Sequence, residues 1–229
     1  MPMLLPYQIQ DQHFTLSTHR CLFWEEQKLL LVADLHLGKT GHFRKAGIAV
    51  PQPIYRDDLH RLFSAIQYFK PEGLIILGDM FHSKINKEFE FFLKWRKDLQ
   101  QLPIQLIKGN HDIVLDDWYT TANLTIHPVE LEIANMGMVH DFADIKHPHS
   151  TTYYLSGHVH PAIAVKGIGK QHLQFPCFYF GKQHGLLPAF SMFSGYYCLK
   201  PKKSDTVIAI VQEGMQASQQ DTLIQLSPA

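Results

Sequence analysis

The sequence predicts an α/β fold, with strand–helix alternation in the first half and a mostly β second half. Three observations carry the prediction. The run GLIILGD (73–79) is almost wholly apolar, as strands of a parallel sheet covered on both faces are, and IQLIKGN (104–110) reads as the next buried strand. The segments before and between them space their apolar residues at helical intervals. After about residue 120 that spacing gives way to short runs separated by turns.

Taken in order, the first strands are predicted at Tyr7–Gln10, Cys21–Glu25 and Lys28–Ala33. Gln52–Lys70 places Ile54, Leu59, Leu62, Phe63, Ile66 and Phe69 on one helical face, with charges opposite. GLIILGD follows as a strand. Asn86–Gln101 is a second helix, with Phe89, Phe92, Leu93 and Leu99 inward and Pro103 as its stop. IQLIKGN is the next strand. Then come strands in LTIHPVELEIANMGMVHD, TTYYLSGHVHP, AIAVKG, LQFPCFYF and TVIAIVQE. The aromatic run FPCFYF (175–180) reads as a core strand, the alternative being a stacking platform for bases.

The 229 residues contain no linker, low-complexity tract or solenoid repeat, so one domain over 1–229 is expected. The chemistry-bearing motifs fall within about 28–165. Cys21, Cys177 and Cys198 are scattered and odd in number, which suits reduced thiols in a cytoplasm rather than a disulfide framework. The N-terminal stretch is too short and polar for a signal peptide, and no apolar run approaches the roughly 20 residues that cross a bilayer. A cytoplasmic protein without a membrane partner is expected. Net charge is zero with histidines neutral, so composition encodes no general electrostatic grip on nucleic acid. The 15 histidines raise the question of metal.

The ends of the predicted strands sharpen that question. They are Asp34-Leu-His36, Gly78-Asp79, Gly109-Asn110-His111-Asp112, His140 and Gly157-His158-Val159-His160. Ligands gather at the carboxyl ends of strands in open α/β sheets. Gly-Asp alone is often only a turn, and a single histidine is often structural. The ordered set is another matter. Oxygen and imidazole donors without thiolate suit Mn²⁺, Fe or Zn²⁺. A pair of such ions needs a shared carboxylate and activates water against a phosphate. The Asp34–His36 pair runs straight into a basic loop, GKTGHFRKAGIAVP, carrying Lys39, Arg44 and Lys45. Arginine suits bidentate phosphate contact. There is no Gly-x-Ser-x-Gly elbow, and GIGK (167–170) lacks the spacing of a phosphate loop.

These motifs resemble the calcineurin-like metallophosphoesterase superfamily, with its pattern D-x-H, G-D-x-x-(D/H), G-N-H-(D/E), H and G-H-x-H. The resemblance implies a four-layer α-β-β-α sandwich of two mixed sheets with helices outside. It implies two divalent ions. Asp34, His36 and His160 would hold one, Asn110, His140 and His158 the other, and Asp79 would bridge. His111 would donate the leaving-group proton, and Asp112 would orient it. His82 stands where the pattern more often has a second acid, and it is placed at the substrate with Lys39 and Arg44. The segments DLHLGKTGHFRKAGIAVP, GDMFHS, GHVHP and LPAFSMFSG resemble, more narrowly, the bacterial phosphoesterase branch associated with an ATP-dependent DNA ligase and a helicase in DNA repair. Asp141-Phe142 stands where that branch leads one to expect a Glu-Pro pair. The resemblance implies a nuclease acting on DNA. Two alternatives stay open: a phosphatase or phosphodiesterase for nucleotides or other small phosphoesters, and a metal-bound scaffold for repair partners.

Overall fold

A computed structural model of the chain describes residues 1–37, 53–81, 87–114, 116–166, 172–211 and 221–226. Its first sheet runs β1 (Leu4–Ile9), β2 (Gln12–Ser17), β3 (Cys21–Trp24), β4 (Leu29–Val32), β5 (Gly73–Leu77), β6 (Ile104–Ile107) and β7 (Leu124–His127), in that spatial order. β1 to β4 form an antiparallel meander, whereas β4 to β7 are parallel. Parallel neighbours require crossovers. Helices α1 (Pro53–Phe69), α2 (Lys87–Asp98) and α3 (Asp116–Thr121) lie in them.

The second sheet is built from β8 (Glu130–Ile133), β9 (Met136–Val139), β10 (Tyr153–Ser156), β11 (Pro161–Lys166), β12 (His172–Phe180), β13 (His184–Leu186), β14 (Tyr197–Cys198), β15 (Thr206–Val211) and β16 (Thr222–Leu226). Its main path is β14-β11-β12-β13-β10-β9-β8, with β15 added on β12 and β16 on β15. This sheet is also mixed: β9–β10 and β10–β13 are parallel, and β8–β9 and β11–β12 are antiparallel.

Strand period 2 explains how one sheet serves two cores. Leu30, Val32, Leu74, Ile76, Ile104 and Leu106 pack toward Leu62, Ala65, Ile66, Phe92 and Trp118 of the helices. Their neighbours Leu31, Ile75, Leu77 and Ile107 pack toward Met136, Met138, Leu155, Phe178, Phe180, Ile208 and Ile210 of the second sheet. A strand such as GLIIL is buried at every residue, which is why it shows no alternation. The expected α/β architecture of two mixed sheets is present. Among the described residues the α-helices all pack on the first sheet, and a 3-10 turn at Phe142–Asp144 adjoins β10 of the second.

FPCFYF lies in β12 with Cys177, Phe178 and Phe180 buried, so it is core rather than a stacking platform. Several elements escape the sequence reading: β2, β13, β14, β16 and α3. They are two to six residues long, too short for a period to register. No helix among the described residues is long and apolar enough to cross a membrane.

Candidate metal centre

The parallel strands β4, β5 and β6 end side by side, and β9 and β10 of the second sheet end facing them. Each carries one motif just past its last residue. Most of these residues leave the strand in the left-handed region: Asp34 at φ 54, His36 at 48, Asp79 at 48, His158 at 63 and His160 at 52. That turn sends successive side chains away from the strand's two faces and over the sheet edge. Left-handed φ costs an L-residue about 1–2 kcal/mol, so surrounding contacts must hold it. They do so through the main chain. Asp34 N–H donates to Gly78 O at 3.2 Å, His36 N–H to Asp79 O at 2.9 Å and Leu37 N–H to Met80 O at 2.8 Å. Gly157 N–H donates to His140 O at 3.1 Å, joining β9 to β10.

The side chains gather in two clusters, Asp34–His36–His160 and Asp79–His140–His158; within each, the potential ligand atoms lie within 4.8 Å of one another. In the first, His36 Nε2 and His160 Nε2 are 3.1 Å apart, and His160 Nε2 is 3.7 Å from Asp34 Oδ1. In the second, His140 Nε2 lies 3.1 Å from His158 Nδ1, 3.0 Å from Asn110 Oδ1 and 3.5 Å from Asp79 Oδ1. The clusters adjoin. His140 Nδ1 is 4.0 Å from Asp34 Oδ1, and the Asp34 carboxylate accepts the His158 N–H at 3.0–3.2 Å. Gly78 and Gly109 make this convergence possible. A Cβ on Gly109 would sit 2.3 Å from Asp79 Oδ1, and one on Gly78 (φ 74) 2.1 Å from His140 Nδ1.

The donor chemistry fits divalent metal. Asp34 and Asp79 are buried carboxylates, 0 % and 2 % exposed. Burying such charge is costly without a cation. Among the described residues, the ion-pair partners found for them within 4 Å are imidazoles. Imidazole nitrogens facing each other at 3.1 Å must either share a proton or turn lone pairs to a common centre. The second arrangement also satisfies the acids. His158 Nε2 lies 3.6 Å from Asp141 Oδ2, an ion-pair distance; two outer ring nitrogens are hydrogen-bonded as those of metal-ligating histidines usually are, His140 Nδ1 at 3.2 Å from Leu77 O and His160 Nδ1 at 3.1 Å from Gly195 O. Such contacts leave the opposite nitrogen as the free donor.

His111 is half-buried at the edge of this arrangement. Its N–H donates to Asp79 Oδ1 at 3.0 Å, and its Nε2 is 3.9 Å from Asp79 Oδ2. Asp112 is buried. One carboxylate oxygen accepts Phe81 N–H and the other Gly109 N–H, both at 2.9 Å. It therefore braces the loops carrying Asp79 and His111 through the backbone. Burial raises the Asp112 carboxyl to about 6 despite those hydrogen bonds.

Lys39, Arg44 and His82, expected at the substrate, lie outside the described residues. Sequence reasoning passed over Asp141 as a partner for His158, although the departure from Glu-Pro at that position was visible. It had no signal for Gly195, which contributes only a carbonyl.

The model of the calcineurin-like phosphoesterase family matches residues 27–181, well over half of the chain. Among solved structures, the crystal structure of Pseudomonas putida nuclease MPE is similar, with a TM-score of 0.77 and 28% identity over 90% of this chain and 96% of that one. No curated protein sequence matches. With the motifs assembled at one sheet edge and the family model spanning both sheets, the chain belongs to the calcineurin-like phosphoesterases, metal-dependent hydrolases of phosphoesters.

Proposed function

We propose that this chain is a dinuclear-metal phosphodiesterase that cleaves DNA. The observation that carries the reading is the pair of adjoining carboxylate–imidazole clusters at the strand ends. Asp34, His36 and His160 would hold one ion, and Asn110, His140 and His158 the other, with Asp79 between them. Mn²⁺ fits this set of donors, as do Fe and Zn²⁺. A divalent pair, when bound, supplies an activated water and neutralises phosphate charge.

The chain's own residues do the rest. Asp34 and Asp79 set the negative charge that attracts the ions, and their burial keeps that charge from being dispersed by solvent. His111, fixed through its N–H by Asp79, presents Nε2 at the rim, where it protonates the departing oxygen. Asp112 holds the main chain under His111. Lys39 and Arg44 bind the flanking phosphates, and His82 meets the substrate.

The similarity to the Pseudomonas putida nuclease supports a polynucleotide substrate. The resemblance of the sequence to the ligase- and helicase-associated branch supports a role in DNA repair alongside those partners. Zero net charge favours keeping small phosphoesters as the second reading.

Chelated protein is expected to lose hydrolysis of bis(p-nitrophenyl) phosphate and regain it with Mn²⁺. His111→Ala should lower kcat by about 10²–10⁴, the usual worth of a general acid, and Asp79→Asn should remove activity. Full activity in either variant sinks the mechanism. Single-stranded DNA, duplex ends and cyclic nucleotides should be compared at one salt concentration. Brisk cleavage of a nucleotide with none of any polynucleotide would transfer the assignment to small phosphoesters.

A further inference from the structure

The segment 189–197, within LPAFSMFSG and the tyrosines after it, has no regular structure beyond one bridge between Ala189 and Ala33 and the first residue of β14. It lies like a strap between two very different surroundings. On one side it touches the first cluster. Phe190 N–H donates to Ala33 O at 2.7 Å, Ser191 N–H to Asp34 O at 3.2 Å and Tyr197 N–H to His160 O at 3.0 Å. The Gly195 carbonyl lies 3.1 Å from His160 Nδ1.

On the other side it is gripped by buried charge. Arg20, only 2 % exposed, donates to Ala189 O and Ser191 O at 3.1 Å and to the Tyr196 hydroxyl at 3.2 Å. Asp58 of α1, 5 % exposed, accepts the Ser191 hydroxyl at 3.0 Å and the Met192 N–H at 3.2 Å. Arg61 pairs with Asp58 at 2.7 Å, donates to Phe190 O, and lies 4.5 Å over the Phe190 ring. Ser191 Oγ also accepts Phe193 N–H at 3.1 Å.

Charges this deep are poor stabilisers compared with apolar packing. What they supply is direction: several hydrogen bonds that hold an irregular backbone in one place. We propose that Arg20, Asp58 and Arg61 are positioning residues for the first metal half-site. They hold the strap so that the Gly195 carbonyl takes His160 Nδ1–H and leaves Nε2 for the metal. The second half-site takes its outer contacts from Leu77 O and Asp141, so the grip acts on one site of the two. The inference rests on the two-metal reading above.

The test is a Mn²⁺ titration followed by calorimetry and electron paramagnetic resonance, which needs no turnover. Wild-type protein should take up two ions; uptake of fewer overturns the two-metal reading, and the positioning role with it, before any variant is compared. His160→Ala and His158→Ala identify which binding step belongs to which half-site. Asp58→Asn and Arg20→Lys should then weaken the step lost in His160→Ala by about 10–100-fold, the usual effect of removing an outer-shell partner. The step lost in His158→Ala should stay within about twofold. Ser191→Ala and Tyr196→Phe are milder cuts in the same grip. They should weaken the same step by several-fold, and they decide the question if the charged variants do not fold. Unchanged affinities, or equal weakening of both steps, would show the network to be merely structural and overturn the proposal.

Discussion

Asp34, His36, Asp79, His158 and His160 share a left-handed backbone that glycine would adopt without strain. Each instead carries a side chain that takes part in one of the two clusters. Glycine appears at the intervening positions instead. Gly109→Ala would force a Cβ against the Asp79 carboxylate and main chain. We expect it to weaken Mn²⁺ binding by at least tenfold while the circular dichroism spectrum stays that of the wild type; wild-type affinity would refute the close-packing argument. His19 gives a pH prediction away from the metal. Burial, then the charges of Arg61 and the N-terminus, lower it to about 4, against about 6.5 in the unfolded chain. The folded state thus binds this proton less readily than the unfolded one. Its contribution to stability is present above pH 6.5 and is lost as pH falls from there through about 4. His19→Gln should flatten the fall in Tm over that window; an unchanged slope would exclude His19 as its source.

Elements place these residues with little freedom. β4, β5 and β6 are buried on both faces, so a register slip by one residue would exchange two apolar sets and, at the strand ends, aim every cluster residue wrongly. Their sequences, apolar but for Gln105 of β6, made them easy to read. Helix α1 was equally legible, from Pro53 at its first position to its apolar stripe. Its expected end, Lys70, is one residue past the observed Phe69. Lys70 follows the helix at φ 48, with its N–H on Ile66 O at 2.9 Å, the left-handed cap usually given to glycine. Lys70→Gly is expected to stabilise the protein by about 1 kcal/mol, read in urea as a higher midpoint at constant slope. A lower midpoint would mean that the lysine side chain contributes more than its backbone strain costs. The strap over 189–197 is the opposite case, since nothing periodic in its sequence marks it as structural.

At the scale of the whole molecule the centre is a seam between two sheets. Asp34, Asp79 and His111 come from the first, and His140, His158 and His160 from the second or the loops that follow its strands. Ions bound there should therefore join the sheets and report on folding. At Mn²⁺ about 100 times Kd, linkage contributes about 2.7 kcal/mol for each site. For a chain of 229 residues that raises Tm by about 5–10 °C per site. Differential scanning calorimetry of chelated and Mn²⁺-loaded protein checks it. A Tm that does not depend on Mn²⁺ would show that the clusters hold no metal in the folded state.

Six motif histidines and aspartates of the two clusters, together with Asn110 and His111, could be named from the chain because the chemistry needs those residue types at strand ends, and strands are marked by their burial. Sequence alone thus determined the α/β class and the buried parallel runs, and it named the residues that the two clusters bring together. Tertiary structure decided what each residue touches. It set the Asp112 carboxylate on the backbone N–H groups of Phe81 and Gly109. It brought a carbonyl from Gly195 to His160 and a carboxylate from Asp141 to His158. It also set Arg20, Asp58 and Arg61 behind the strap. The physical reason is that residue type and period are local properties, carried by each segment separately. A hydrogen bond across 35 or 133 residues, such as Gly195 with His160 or Ser191 with Asp58, exists only once distant segments have packed together.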